Sequence, residues 1–113
     1  KAGTDLPPLE HLLLLDDEGF RHYFAGTPVR RTGYDRFMRN ILIAAGNSDD
    51  PKLVPLVQTF LVHQAAMVRA MAVWALSELM DQRAWTTLKR QYMGDETDDT
   101  VRTEWNEGQG LSQ

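Results

Sequence analysis

The segment MRNILIAAG, starting at Met38, lines up with VRAMAVWAL, starting at Val68, and VRTEW follows from Val101. This recurrence, at a period of about thirty residues, constrains the fold more than any other feature of the chain. Each copy is preceded by a helical pattern and a short turn, acidic at Asp49-Asp50 and again at Asp98-Asp99. A unit of two helices cannot bury its apolar face alone, so neighbouring units stack and share one continuous core. The expected architecture is therefore an all-α solenoid.

Helical spacing supports this along most of the chain. In KLVPLVQTFLVH, residues Leu53, Leu56, Val57, Phe60 and Leu61 follow the i, i+3, i+4, i+7, i+8 rule. In AAMVRAMAVWALSELM the same rule selects Val68, Ala72, Ala75, Leu76 and Leu79. GYDRFMRNILIAAG gives Phe37, Ile41, Ala44 and Ala45, which points Arg39 away from the buried side and sets Arg36 on its flank. Gly46-Asn47 reads as a helix stop, and Asp50-Pro51 as an N-cap followed by a first-turn proline. Pro55 lacks an N–H, so its helix must start near Leu53 or bend. Strand alternation is scarce and no Asn-Gly or Asp-Gly hairpin signal occurs. Residues 1–32 fall outside the period and read as a cap of two shorter helices, with Asp16 capping the second. Residues 33–107 read as two to three HEAT-like helix pairs, and residues 108–113 as a frayed tail.

With 113 residues and 12.9 kDa, the chain suits one domain with a single core. No apolar run is long enough to cross a bilayer, so no membrane contact is expected. Asp5 and Glu10 stand where a signal peptide would need a basic and then an apolar segment. The first residue is Lys1 rather than Met, compatible with a piece of a longer chain. There is no Cys, hence no thiolate for zinc or an iron–sulfur cluster, and a cytoplasmic location is expected. His11, His22 and His63 are too scattered for paired metal ligation, so no metal site is expected. The acidic groups at Asp16-Asp17-Glu18 and around Asp98 lack calcium-loop spacing and suit helix caps instead. Gly26, Gly33 and Gly46 form no phosphate-cradling motif. Trp74, Trp85 and Tyr92 fall on apolar helix faces, while Trp105 has too little sequence after it to place.

The arginines are less easily absorbed by a core. The formal net charge is −4, yet Arg21 to Arg39 contains five arginines, no lysine, and Asp35 as its one acid. The rest of the chain, with seven basic and fifteen acidic side chains, carries −8. Arg39, Arg69 and Arg102 share one repeat position, which favours a structural bond to an acidic turn for Arg69 and Arg102. Arg30, Arg31 and Arg36 have no counterparts in the other repeats. Guanidinium is the preferred group for bidentate phosphate contacts, so the patch points to a phosphate-rich partner.

Taken together, FAGTPVRRTGYDRFMRNILIAAGNSDDPKLVP and VRAMAVWALSEL resemble the C-terminal HEAT-like region of epoxyqueuosine reductases. The family pattern is a G-[ST]-x-[IV]-[KR]-R turn, a helix ending R-N-x-x-[IV]-A-x-G-N, then D-P and V-R-x-x-A-x-W-A-L. Gly26, Thr27, Val29, Arg30, Arg31, Arg39, Asn40, Gly46, Asn47, Pro51, Val68, Arg69, Trp74, Ala75 and Leu76 supply it in order. The acid usual before V-R is missing from HQAAMVR, which weakens the case for a repeat-stabilising bond there. The resemblance implies a longer oxidoreductase that converts epoxyqueuosine to queuosine in tRNA with cobalamin and 4Fe-4S clusters. The catalytic acid and the cofactor-binding regions would lie outside this chain, which would be non-catalytic and hold no cofactor. Implied partners are the tRNA anticodon stem-loop and the N-terminal cobalamin and iron–sulfur domains of the same protein. Candidate nucleic-acid-binding residues are Arg30, Arg31, Arg36, Arg39 and Arg69. The alternative is a helical-repeat module with no nucleic-acid contact, whose arginine face docks on an acidic partner or on the parent's own domains; a third reading has Arg30 and Arg31 contact the cofactor-bearing domains.

Overall fold

The computed structural model describes residues 7–108, and within them seven α-helices and no strand. α1 (Leu9–Leu13) and α2 (Asp17–Tyr23) precede α3 (Tyr34–Gly46), with a 3-10 turn at Pro28–Thr32 between α2 and α3. α4 (Val54–Gln58), α5 (Ala66–Leu79), α6 (Gln82–Tyr92) and α7 (Asp99–Glu107) complete the chain. The second helices of successive pairs, α3, α5 and α7, pack side by side, with α5 in the middle. α1 closes the N-terminal end by packing on α3 and α4, burying Leu12 and Leu13. The tail expected at 108–113 lies, from residue 109 onward, outside the described residues.

The helix starts follow from local chemistry. Asp16, Asp81 and Asp98 each accept a backbone N–H three residues on, from Gly19 at 2.7 Å, Ala84 at 2.8 Å and Val101 at 3.1 Å. Such caps satisfy N–H groups that have no carbonyl within the helix. Asp50 does the same for the Lys52 N–H at 3.0 Å, with Pro51 in the first turn. Pro55 sits in the first turn of α4, where its missing N–H costs nothing. The segment expected to form one helix is instead α4 flanked by 3-10 turns at Pro51–Leu53 and Thr59–Val62. At the second junction the Thr59 hydroxyl donates to the Leu56 carbonyl at 2.7 Å, competing with helical continuation.

Two sequence expectations change. The buried stripe of α3 is Phe37, Met38, Leu42, Ala45 and Gly46; Ile41 is half-buried and Ala44 exposed. The stripe is turned because α3 must face α1, α2 and α5 together. As a result Arg36 is the exposed arginine and Arg39 the flanking one, the reverse of the spacing argument. The stop expected at Gly46-Asn47 is where α3 ends, with Asn47 as its C-cap, but it is not made by left-handed geometry at Gly46. The backbone passes through Asn47 in right-handed geometry (φ −88°) and reverses at Asp49 (φ 59°). What Gly46 supplies is room: a Cβ there would collide with the Trp74 ring and lie 3.0 Å from the Ala75 Cα. α3 and α5 approach this closely only because that position has no side chain.

At the other end of the stack, Trp85 of α6 and Trp105 of α7 pack with ring centroids 4.9 Å apart, and Tyr92 lies 6.4 Å from Trp105. Trp105 is 1% exposed, so it belongs to the core. We expect Gly46→Ala to lower stability by about 1–3 kcal/mol through overpacking at the α3/α5 contact. Denaturant unfolding measures this, and an unchanged midpoint would show that α5 can shift without cost.

Candidate nucleic-acid interface

An aromatic cluster fixes the segment that carries the arginines. Phe20 and Phe24, one helical turn apart, meet Phe37 of α3 with ring centroids 4.9 and 5.1 Å away, and Phe20 lies 6.0 Å from Tyr34. Offset and edge contacts of this kind add to the area they bury. The Tyr34 hydroxyl donates to the Leu15 carbonyl at 2.8 Å, tying α3 to the loop before α2. Burial, then the nearby carboxylates of Asp16, Asp35 and Asp17, push its pKa up to about 12, so it stays a donor. The Thr27 hydroxyl donates to the Phe24 carbonyl at 2.8 Å and shapes the turn after α2. Gly26 (φ 78°) and Gly33 (φ 87°) bracket the Pro28–Thr32 turn, and both adopt the left-handed geometry that glycine accepts without strain.

This framework forms an open cleft of about 500 Å³ lined by Arg21, Arg30 and Arg31, with Gly26, Gly33 and Tyr34 along its walls. Arg21 donates to Asp17 at 3.0 Å, but both side chains are 58% exposed. A pair this exposed contributes little to stability and releases its guanidinium readily. Arg30 and Arg31 have no side-chain partner among the described residues. Three guanidinium groups against one carboxylate, that of Asp17, give the cleft a positive balance.

The remaining candidates lie elsewhere. Arg36 lines a separate cleft of about 670 Å³ together with Asp16, Asp17, Asp35 and His63. Arg39 sits on the flank of α3 and makes one side-chain hydrogen bond, to Asn40 Oδ1 at 3.3 Å. Arg69 is held inside the stack. Its Nε and Nη2 each donate to Glu96 at 2.9 Å, and its Nη1 donates to the carbonyls of His63 at 2.8 Å and Gln64 at 3.2 Å. The bond to an acidic turn of an adjacent repeat expected for Arg69 is therefore made, and the missing acid in HQAAMVR does not prevent it. The carboxylate is drawn from the turn of the next repeat, 27 residues on, as the repeat position of Arg69 suggests, although the sequence does not single out Glu96. Arg102 repeats part of the pattern, its Nη1 donating to the carbonyls of Met93 at 2.8 Å and Glu96 at 3.1 Å.

So the structure brings Arg30 and Arg31 together, adds Arg21, and separates Arg36, Arg39 and Arg69 from them. Arg21 belongs to the arginine-rich run but was not among the candidates. Its place on α2, opposite the Arg30-Arg31 turn, becomes visible only once the chain folds back. Among the described residues no group of three His, Asp or Glu side chains stands close enough to hold a metal ion. No helix of the described residues is long and apolar enough to cross a membrane.

Stacked helix pairs sharing one core define an α-solenoid. The HEAT repeats family matches residues 31–107, and the chain belongs to that family. It is also similar to the epoxyqueuosine reductase of Pseudomonas aeruginosa, 32% identical over 79 residues covering 67% of this chain and 21% of that protein. The epoxyqueuosine reductase of Xanthomonas campestris pv. campestris is 29% identical over 79 residues, covering 69% and 22%. The chain spans about a fifth of the length of these curated relatives. No solved structure matches it.

The Arg69–Glu96 pair carries its own prediction. The side chains are 17% and 7% exposed, so removing one leaves the other charge poorly solvated. We expect Arg69→Ala to cost about 2–3 kcal/mol at neutral pH. Burial alone would raise the Glu96 carboxyl, but the Arg69 hydrogen bonds, the Asp98 N–H and the Arg69 charge outweigh it and hold it below 4.5. A carboxylate lowered on folding stabilises fully above its unfolded pKa, and that contribution disappears as pH falls through the folded value. In urea unfolding the gap between wild type and Arg69→Ala should therefore narrow below pH 4.5. A gap that stays constant down to the acid transition would deny the pair its electrostatic role.

Proposed function

We propose that this chain is a non-catalytic HEAT-repeat domain of an epoxyqueuosine reductase that grips the tRNA anticodon stem-loop. It would present the loop to cobalamin and iron–sulfur domains elsewhere in the longer protein. The carrying observation is the cleft that collects Arg21, Arg30 and Arg31 on a framework fixed by aromatic packing. Guanidinium groups on a firm base favour phosphate oxygens, and such contacts position RNA without reading its sequence. The similarity to two epoxyqueuosine reductases supplies the tRNA context, since the modified nucleoside in their name belongs to tRNA. The reaction, its cofactors and recognition of the target base are assigned to the remainder of such a protein, because this chain has no Cys for a cluster. Arg39 joins the grip from the flank of α3. Arg69 is left out, because four of its five N–H bonds already have acceptors within the stack.

Docking on protein is the second reading, and one place favours it. The Arg36 cleft mixes one arginine with Asp16, Asp17 and Asp35, and exposed Met67 borders it. A mixed surface with an apolar edge suits a contact with another domain better than a phosphate backbone. We assign Arg36 there.

Fluorescence anisotropy with a labelled anticodon stem-loop, at two salt concentrations, tests the main reading. Binding should weaken as salt rises, because each phosphate contact releases counterions. Arg30→Ala/Arg31→Ala should weaken it about fivefold to tenfold at low salt and reduce the salt slope by about two. Equal binding by both proteins would move these arginines to an interdomain role. Absence of salt-sensitive binding by the wild-type chain would count against RNA as the partner.

A further inference from the structure

Arg39, Arg69 and Arg102 occupy one register position on α3, α5 and α7, and the same register equates Gly33, His63 and Glu96, each six residues earlier. The hydrogen bonds confirm the equivalence. Arg69 Nη1 donates to the His63 carbonyl as Arg102 Nη1 donates to that of Glu96. The Ala65 N–H donates to His63 Nδ1 at 3.0 Å, as the Asp98 N–H donates to Glu96 Oε2 at 2.9 Å. His63 and Glu96 thus play the same part in the turn before their helices.

Their relation to the preceding repeat differs. Arg69 reaches forward to the turn side chain of the next repeat and finds the carboxylate of Glu96. The same step from Arg39 arrives at His63, which offers none. The Nδ1 lone pair of His63 is taken by Ala65, and its Nε2 faces Asp35 at 3.8 Å. The backward bond is missing too, since the Gly33 carbonyl accepts from the Phe37 N–H and not from Arg39. Arg39 therefore holds the register position of a clasp residue but, among the described residues, has only the 3.3 Å bond to Asn40.

We infer that histidine at position 63 leaves Arg39 without its inter-repeat carboxylate so that the guanidinium can take an external phosphodiester oxygen. The identity of that anion rests on the RNA reading above, whereas the open clasp rests on the repeat register alone. His63 is a positioning residue here: it does not touch the RNA, but decides whether Arg39 is available to it.

The test restores the missing partner. In His63→Glu the new carboxylate can accept the Ala65 N–H, as Glu96 does for Asp98, and close on Arg39. The 113-residue chain is compared with His63→Glu, Arg39→Ala, the double variant, and Gln64→Glu as a neighbouring charge control. Both anticodon stem-loop anisotropy over a salt series and thermal unfolding are measured. Arg39→Ala and His63→Glu should each weaken binding about twofold to fivefold and lower the salt slope by about one. The double variant should lose no more than either, and Gln64→Glu should keep the wild-type slope. In unfolding, Arg39 and the introduced carboxylate should couple, with His63→Glu melting above the double variant by more than wild type melts above Arg39→Ala. Binding by His63→Glu equal to that of Gln64→Glu, or additive melting shifts, would overturn the inference. Coupling in stability without salt-sensitive RNA binding by the wild type would instead remove RNA as the anion and leave the open clasp standing.

Discussion

The structure depends on α5 being buried on both flanks. Val68, Ala70, Ala72, Val73, Ala75, Leu76 and Ser77 are all buried, and at about 100° per residue they cover most of the helix circumference. A helix with so wide an apolar face cannot remain at a surface, so α3 and α7 cover it and leave only the Met67 and Glu78 side exposed. Its small residues matter as much as its large ones. The alanines let neighbouring helices approach closely, and Gly46 allows Trp74 to lie across the α3/α5 contact. Each fully buried Val or Leu contributes roughly 1.5–3 kcal/mol, whereas an exposed ion pair contributes about 0–1 kcal/mol. The apolar seam outweighs the surface charges, which frees the arginines of the N-terminal third from holding the fold together.

From this seam the geometry of the arginine cleft follows in steps. α3 is fixed by α5, and its Phe37 and Tyr34 then fix Phe20 of α2 and Phe24 at its C-cap. With both helices set, two left-handed glycines bring the Pro28–Thr32 turn back toward α2, so that Arg30 and Arg31 share a cleft with Arg21. Flexible side chains on a rigid base lose less on binding than a mobile loop would, because the backbone is already ordered. The aromatic cluster is thus the link between the buried stack and the charged surface.

Much of this was legible from local pattern. The thirty-residue recurrence, the aspartate caps and the position of Pro55 each depend on neighbours within a turn or two of helix. What escaped depends on distance along the chain. A bond from Arg69 to an acidic turn was expected, but that its partner is Glu96, 27 residues on, is fixed only by the stacking of consecutive repeats. The facing of α3 was misread because Ile41 and Ala44 are as apolar as Met38 and Leu42. The choice among them is made by where α2 and α5 lie, which periodicity within α3 does not contain. Trp105 could not be placed because its partner, Trp85, belongs to the preceding helix.

The charge distribution adds a last constraint. At physiological salt a charge is screened over about 8 Å, so the −8 carried outside the arginine run is felt only where its carboxylates stand close by. They do so on one side, where Asp35 of the run itself joins them. The cleft of Arg21, Arg30 and Arg31 contains a single aspartate, Asp17, while its neighbour, which shares Asp17, Gly33 and Tyr34, adds Asp16 and Asp35 beside Arg36. A positive surface and a negative one therefore meet along one line. On the proposed reading a phosphate backbone entering the first is repelled from the second, so the boundary fixes its direction across the domain as well as its place. Net acidity then aids specificity where carboxylates crowd the surface, although α6 carries a second, smaller basic cleft at Arg83 and Arg90.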